Sequence, residues 1–203
     1  MRVSGRENTR IGQSDAGLTP DAPLSLQTNR LVLRRWRAAD KRPFARLNAD
    51  PVVMEHFPRT LDRAESDAFA DRIEAGFDAR GYGLWAVEIP GEAEFIGFVG
   101  LALHDFPAHF TPAVEIGWRL ARDHWGKCFA TEAARTAIAD GFDRVGLGEI
   151  VSFTAVVNIR SVAVMQRLGM THDPADDFDH PRLPVGHHLG RHVLYRITRL
   201  NYK

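Results

Sequence analysis

A chain of 203 residues, 44% hydrophobic and 26% charged, is long enough to bury a sizeable core in one domain. Its 26 Lys and Arg balance its 26 Asp and Glu, which excludes the overall positive field that draws proteins to nucleic acid or to an anionic membrane. The single cysteine excludes an intrachain disulfide and suits a reducing compartment; with no signal-peptide core and no apolar run near the ~20 residues that span a bilayer, the cytoplasm is expected.

Met1 to Ser25 is rich in Gly, Ser, Thr, Asp, Asn and Pro and has little to bury, so residues 1–25 read as a flexible extension and 26–203 as the folded domain. Arg30 to Trp36 reads as a first strand, and its Arg34-Arg35-Trp36-Arg37 run as a solvated face rather than an RNA patch. Ala38 to Asn48 reads as a helix with Pro43 near its first turn, where the missing N–H costs least. After a turn at Asp50 to Pro58, Thr60 is the expected N-cap of a helix over Leu61 to Arg80. Leu84–Ile89 and Phe95–Leu103 are strand-like runs joined by Pro90-Gly91-Glu92, which predicts an antiparallel hairpin.

The stretch from Pro112, PAVEIGWRLARDHWGKCFATEAA, opens as a strand. Val114, Ile116, Trp118 and Leu120 alternate with Glu115, Gly117 and Arg119, the period of two of a strand whose faces differ. A turn carrying Gly126 follows, and then Ala134, Ala137, Ile138, Gly141, Phe142 and Val145 form one apolar helical stripe. A helix that starts after such a turn presents unpaired N–H groups, which favour phosphate. Glu149 to Val157 reads as a strand covered on both faces. Asn158 starts a helix over Ile159 to Leu168 that Gly169 terminates. Asp173 to Pro184 reads as a loop, and His192 to Arg199 as a closing strand. The order predicts an α/β fold with a mixed sheet, antiparallel at the front and parallel where a helix crosses over.

Two nucleotide motifs fail. GxxxxGK[ST] is broken by Ala121 and Cys128, and GxGxxG is absent at both Gly81 and Gly146. Instead, Trp125-Gly126-Lys127-Cys128-Phe129-Ala130-Thr131-Glu132-Ala133 resembles the acyl-CoA pyrophosphate loop of the GNAT N-acetyltransferase superfamily, in the WGKGYATEA form of its RimJ/RimL-like branch. Thr28 to Arg34, Glu115-Ile116-Gly117-Trp118, Asn158 to Ser161 with Met165 to Met170, and His192 to Tyr195 resemble further segments of that branch. Together they cover roughly Gln27 to Leu200.

The resemblance implies a largely antiparallel central sheet flanked by helices, with acetyl-CoA as cosubstrate and no metal. The partner would be an amine acceptor, either a peptide N-terminus or a small molecule; no nucleic acid or membrane is involved, and a homodimer is compatible with it. Main-chain N–H groups of Gly126, Lys127, Cys128, Phe129, Ala130 and Thr131, beside Trp125, would bind pyrophosphate. Main chain near Leu120 would align the pantetheine and polarise the thioester, and Asn158 with Ser161 would hold the pantetheine arm. Asn158 is equally suited to be a simple helix N-cap. Glu115 is the expected base, the alternative being an ion pair with Arg119 on the same strand face.

Two departures stand out. Cys128 replaces the usual glycine, so its backbone is expected to avoid positive φ, or else the phosphate site is impaired; it serves equally well as a small filler or as a thiol acidified by the helix terminus. Met165 stands where many members carry a tyrosine acid. These departures keep open a CoA-binding or protein-interaction module without chemistry, or a different acyl-CoA. A chain-terminal amine of pKa near 7.7 costs about 1 kcal/mol to neutralise at pH 7, against about 4 for lysine, and so suits a sparsely equipped site. His187, His188 and His192 lack a ligand pattern for metal and read as solvated. Trp36, Trp85 and Trp118 read as core, and His104 and Asp105 as a loop bordering the amine site.

Overall fold

A computed structural model describes residues 23 and 25–202; the expected extension, apart from Pro23 and Ser25, lies outside the described residues. Among the described residues nine strands form one sheet. The strands are β1 (Ser25–Gln27), β2 (Val32–Arg34), β3 (Leu84–Ile89), β4 (Ala93–His104), β5 (Ala113–Leu120), β6 (Glu149–Ala155), β7 (Thr171–His172), β8 (Phe178–Asp179) and β9 (Arg191–Thr198). The helices are α1 (Lys41–Ala49), α2 (Arg63–Arg80), α3 (Phe129–Asp143) and α4 (Ile159–Arg167). The sheet order is β1-β2-β3-β4-β5-β6-β9-β7, with β8 on β9. Every pairing is antiparallel except β5 with β6, where α3 makes the crossover. Among the described residues no helix is long and apolar enough to cross a membrane.

The stripe expected on α3 is the one that docks. Ala133, Ala134, Ala137, Ile138 and Phe142 are buried with Ile116 and Leu120 of β5 and Met165 of α4. On the other face of the sheet, Phe44 and Leu47 of α1, Ala70 of α2 and Phe98 of β4 make a second core. A third cluster of Phe106, Val151, Phe178 and Leu194, with Phe110 and Phe153 against it, sits beyond the start of β5. Trp85 is fully buried, while Trp36 and Trp118 pack at the edge of the main core.

Three local expectations are corrected. Helix α2 is capped by Asp62, not Thr60: Asp62 accepts from the Glu65 N–H and Glu65 accepts from the Asp62 N–H, a reciprocal box that starts the helix two residues later. Arg34 is buried rather than solvated, because its guanidinium forks onto both Asp40 oxygens at 2.7 and 2.9 Å and reaches Glu88 at 2.7 Å. The run from Asp173 to Pro184 contains β8, which pairs with β9 through Phe178 opposite His192. Polar flanks hide this two-residue strand from a reading of periodicity.

Candidate active site

The parallel pair β5 and β6 is joined at a single register position, Glu115 opposite Val151. Beyond it, β5 stays paired with β4 to Leu120 while β6 stays paired with β9 to Ala155. The two strands part into a wedge, and the loop between β5 and α3 closes one end of it. Trp125 anchors that loop by donating its indole N–H to the Leu120 carbonyl at 2.7 Å. The Leu120 carbonyl is thereby occupied.

Gly126 (φ 73°) and Cys128 (φ 64°) both adopt left-handed backbone. This overturns the expectation for Cys128, which takes the conformation that a glycine would hold freely. The turn into α3 requires it, and a side chain there costs about 1–2 kcal/mol. The thiol is exposed and makes no cap to the helix. The first main-chain bond of α3 runs from the Glu132 N–H to the Cys128 carbonyl, which leaves the Phe129, Ala130 and Thr131 N–H groups without partners inside the helix. The buried Thr131 hydroxyl likewise has no partner among the described residues. Unpaired N–H groups, a helix dipole and an orphaned hydroxyl are a donor set that fits pyrophosphate.

Glu132 locks this loop to the start of the domain. Its carboxylate accepts from the Thr28 hydroxyl at 2.6 Å and from Arg30 Nε at 2.7 Å. Arg30 in turn donates to the Lys127 carbonyl at 3.1 Å and lies over the Phe129 ring. Against the desolvation that would raise it, these hydrogen bonds hold the Glu132 carboxyl below its ordinary range. The sequence motif contained Glu132 without revealing this clamp, because its partners lie about a hundred residues earlier.

On the far side of the wedge, Asn158 caps α4. Its carbonyl oxygen accepts from the Ser161 N–H at 3.2 Å, and its amide donates to the hydroxyls of Thr154 at 2.9 Å and Ser161 at 3.0 Å. The cap role is therefore filled, and one oxygen lone pair remains for a ligand. Val156, Val157 and Ile159 beside it are exposed apolar residues. Met165, where the acid would stand, is 1% exposed within the main core.

Glu115 does not pair with Arg119. Its register partner on β4 is Ala102, which brings His104 diagonally onto the same face. His104 Nε2 lies 2.6 Å from Glu115 Oε2, as a close charge pair rather than an aligned hydrogen bond. Burial would lower the His104 pKa, but the Glu115 carboxylate outweighs it and raises it. Its neighbours go the other way: burial pushes His180 down to about 4, and lowers His192. Of the three histidines, His104 alone is pushed toward the charged form.

The three histidines and Phe106, Phe110, Phe153 and Phe178 form a network of ring contacts at 4.9–6.3 Å, which walls the Glu115 end of the wedge. His192 is buried at 9% exposure, contrary to its reading as a solvated loop histidine, because β8 covers it. His187 and His188 stack on each other instead. Asp105 is exposed.

Arg119, 9% exposed, points its Nη1 at the Asn48 oxygen at 2.6 Å, and Asn48 donates to Ser66 at 2.9 Å. The Phe57 ring covers the guanidinium at 3.9 Å.

The family profile described as an acetyltransferase (GNAT) domain matches residues 30–171, well over half of the chain. The sequence is 30% identical over 191 residues to FsC-acetyl coenzyme A-N(2)-transacetylase of Aspergillus fumigatus (strain ATCC MYA-4609 / CBS 101355 / FGSC A1100 / Af293), covering 90% of this chain and 79% of that protein. The fold is similar to an acetyltransferase from Agrobacterium tumefaciens str. C58 (TM-score 0.69, 25% identity, 96% of this chain and 100% of that one). It is also similar to spermidine N-acetyltransferase from Vibrio cholerae in complex with CoA and spermine (TM-score 0.67, 19% identity, 86% and 99%). The chain belongs to the GNAT family and is an acetyl-CoA-dependent N-acetyltransferase.

Proposed function

We propose that the acetyl group passes directly from acetyl-CoA to a primary amine held in the β5–β6 wedge, with Glu115 as the base. The observation that carries this reading is the wedge itself: it opens at Glu115 and ends at a helix start rich in free N–H groups. Pyrophosphate would sit on the Gly126–Thr131 main chain. The pantetheine would lie between the strands, against main chain near Leu120 on one side and Asn158 and Ser161 on the other.

The amine nitrogen attacks the thioester carbonyl, a C–N bond forms and the C–S bond breaks. Glu115, directly or through water, takes the proton that the nitrogen sheds. The thiolate leaves and takes its proton from solvent, since the buried Met165 has none to give. Holding the reactants in line accounts for up to roughly 7 to 11 kcal/mol of barrier reduction.

The ordered segments that resemble it support a place in the RimJ/RimL-like branch. The lone exposed cysteine and the dependence on acetyl-CoA support a cytoplasmic setting. The acceptor is an α-amine of a peptide or a small molecule. Incubation with acetyl-CoA and a panel of peptides, polyamines, amino acids and amino-sugars, following thiol release, tests the reading. Amine-dependent release is expected; CoA binding without any release would instead identify a binding module.

A further inference from the structure

The face of β5 that carries Glu115 also carries Gly117 and Arg119. Gly117 is half-exposed, and the three atoms nearest to a Cβ built on it all belong to the Glu115 carboxyl group, at 3.9 Å. No packed side chain lies closer, so the strand has an open floor with a carboxylate leaning over it. At ~3.3 Å per residue, Glu115 and Arg119 stand about 13 Å apart at their Cα atoms.

Arg119 is an unusual resident for such a position. Its guanidinium faces Phe57, with Phe98 and Phe69 close by, and Asn48 takes Nη1. What remains is the Nε–Nη2 edge, which has no hydrogen-bond partner among the described residues; Nε is fully buried. Among the described residues no carboxylate offsets the charge: burial lowers its pKa to about 10, so it stays protonated at neutral pH. A buried guanidinium with one neutral acceptor is costly, and an apolar side chain of similar volume would pack the site better. The cost falls if a ligand brings an anion to Nη2, since a guanidinium N–H bonds a carboxylate strongly.

We propose that Arg119 is the anion-binding end of the acceptor slot, so that the acceptor is a small amine bearing a carboxylate, with its nitrogen toward Glu115. This rests on the amine-acetylation reading above and narrows the acceptor to amino-acid-like molecules. Asn48, tied to Ser66, fixes Nη1 of the guanidinium, and Gly117 adds no side chain to the strand face between Glu115 and Arg119.

The test compares matched acids and amides: glycine, β-alanine, γ-aminobutyrate and a set of L-amino acids, each against its carboxamide. Thiol release at saturating acetyl-CoA gives kcat/KM, and thermal shift in the presence of CoA gives binding independently of turnover. We expect at least one acid to exceed its amide by about 10²-fold in kcat/KM, with the difference mainly in KM. Arg119→Gln is expected to bring that ratio to near one, and Arg119→Lys to retain part of it. Equal rates for acids and amides in the unaltered protein, which needs no variant to fold, overturn the proposal. So does a ratio that survives Arg119→Gln. If no amine is acetylated, the transferase reading of the slot fails by itself. Acid-selective thermal shifts that Arg119→Gln abolishes then still support the anion site, and shifts that do not distinguish acid from amide overturn it.

Discussion

The two sides of the wedge are built from different materials. The side assigned to acyl-CoA is main chain: the turn at Gly126 and Cys128, the free N–H groups at the start of α3, and the clamp from Glu132 to Thr28 and Arg30 that holds the turn in place. The side proposed for the acceptor is side chain: Glu115 against His104, the ring network around Phe106 and Phe153, and Arg119 under Phe57. Main-chain geometry tolerates substitution so long as the backbone angles survive, whereas a side-chain constellation changes with each residue. A cosubstrate site of the first kind can stay constant while an acceptor site of the second kind is altered beside it.

Four perturbations break or sharpen this contrast. Glu115→Gln carries the largest expected effect, lowering turnover by about 10²-fold or more while acetyl-CoA binds unchanged. An unchanged rate would make Glu115 structural. Asn158→Ala acts on the other side. Loss of the α4 cap lowers stability by about 1 kcal/mol, and if the remaining lone pair of Asn158 serves the pantetheine, the KM for acetyl-CoA rises about tenfold, the equivalent of one hydrogen bond. A stability loss with no change in KM confines Asn158 to its cap.

The third perturbation is pH. The folded-state pKa of His104 is raised above its ordinary 6.5, so its contribution to stability is fully present below 6.5 and is lost as pH rises through the raised value. His180, lowered to about 4, acts in the opposite sense: its contribution is present above 6.5 and is lost as pH falls toward 4. Stability followed by denaturant melts should therefore peak near pH 6.5, and His104→Gln should flatten the alkaline limb alone. An alkaline limb that His104→Gln leaves unchanged would place its origin elsewhere.

Smallest is Cys128→Gly. Relief of the left-handed backbone, less the freedom that glycine gains in the unfolded chain, should stabilise the protein by no more than about 1 kcal/mol, with acetyl-CoA binding retained. A destabilised variant in thermal melts would show that the thiol packs in a way that its exposure hides.

The same contrast explains what could be read in the sequence. The period-two pattern of β5 and the α3 stripe located the strand and helix that frame the wedge, because periodicity reports which face is buried. The loop was legible because its residues are contiguous. The partner of Glu115 was not: the strand pattern brought Arg119 to the same face, but only the β4–β5 register, Ala102 opposite Glu115, puts His104 within reach. Thr28, Arg30 and Asn48 were hidden for the same reason, since each meets its partner across 70 or more residues. Local pattern predicted Thr60 as a cap and missed Asp62, where a reciprocal box two residues downstream outcompetes it. A cysteine in place of the usual glycine likewise predicted an ordinary backbone at Cys128, although the turn geometry dictates positive φ whatever the side chain.

Acetyl transfer in the wedge requires acyl-CoA at the β5–α3 loop. Calorimetric titration of acetyl-CoA into the protein tests it most directly. A dissociation constant below about 1 mM, roughly −4 kcal/mol, that Glu115→Gln leaves unchanged is the predicted result; no detectable binding in that range would contradict it.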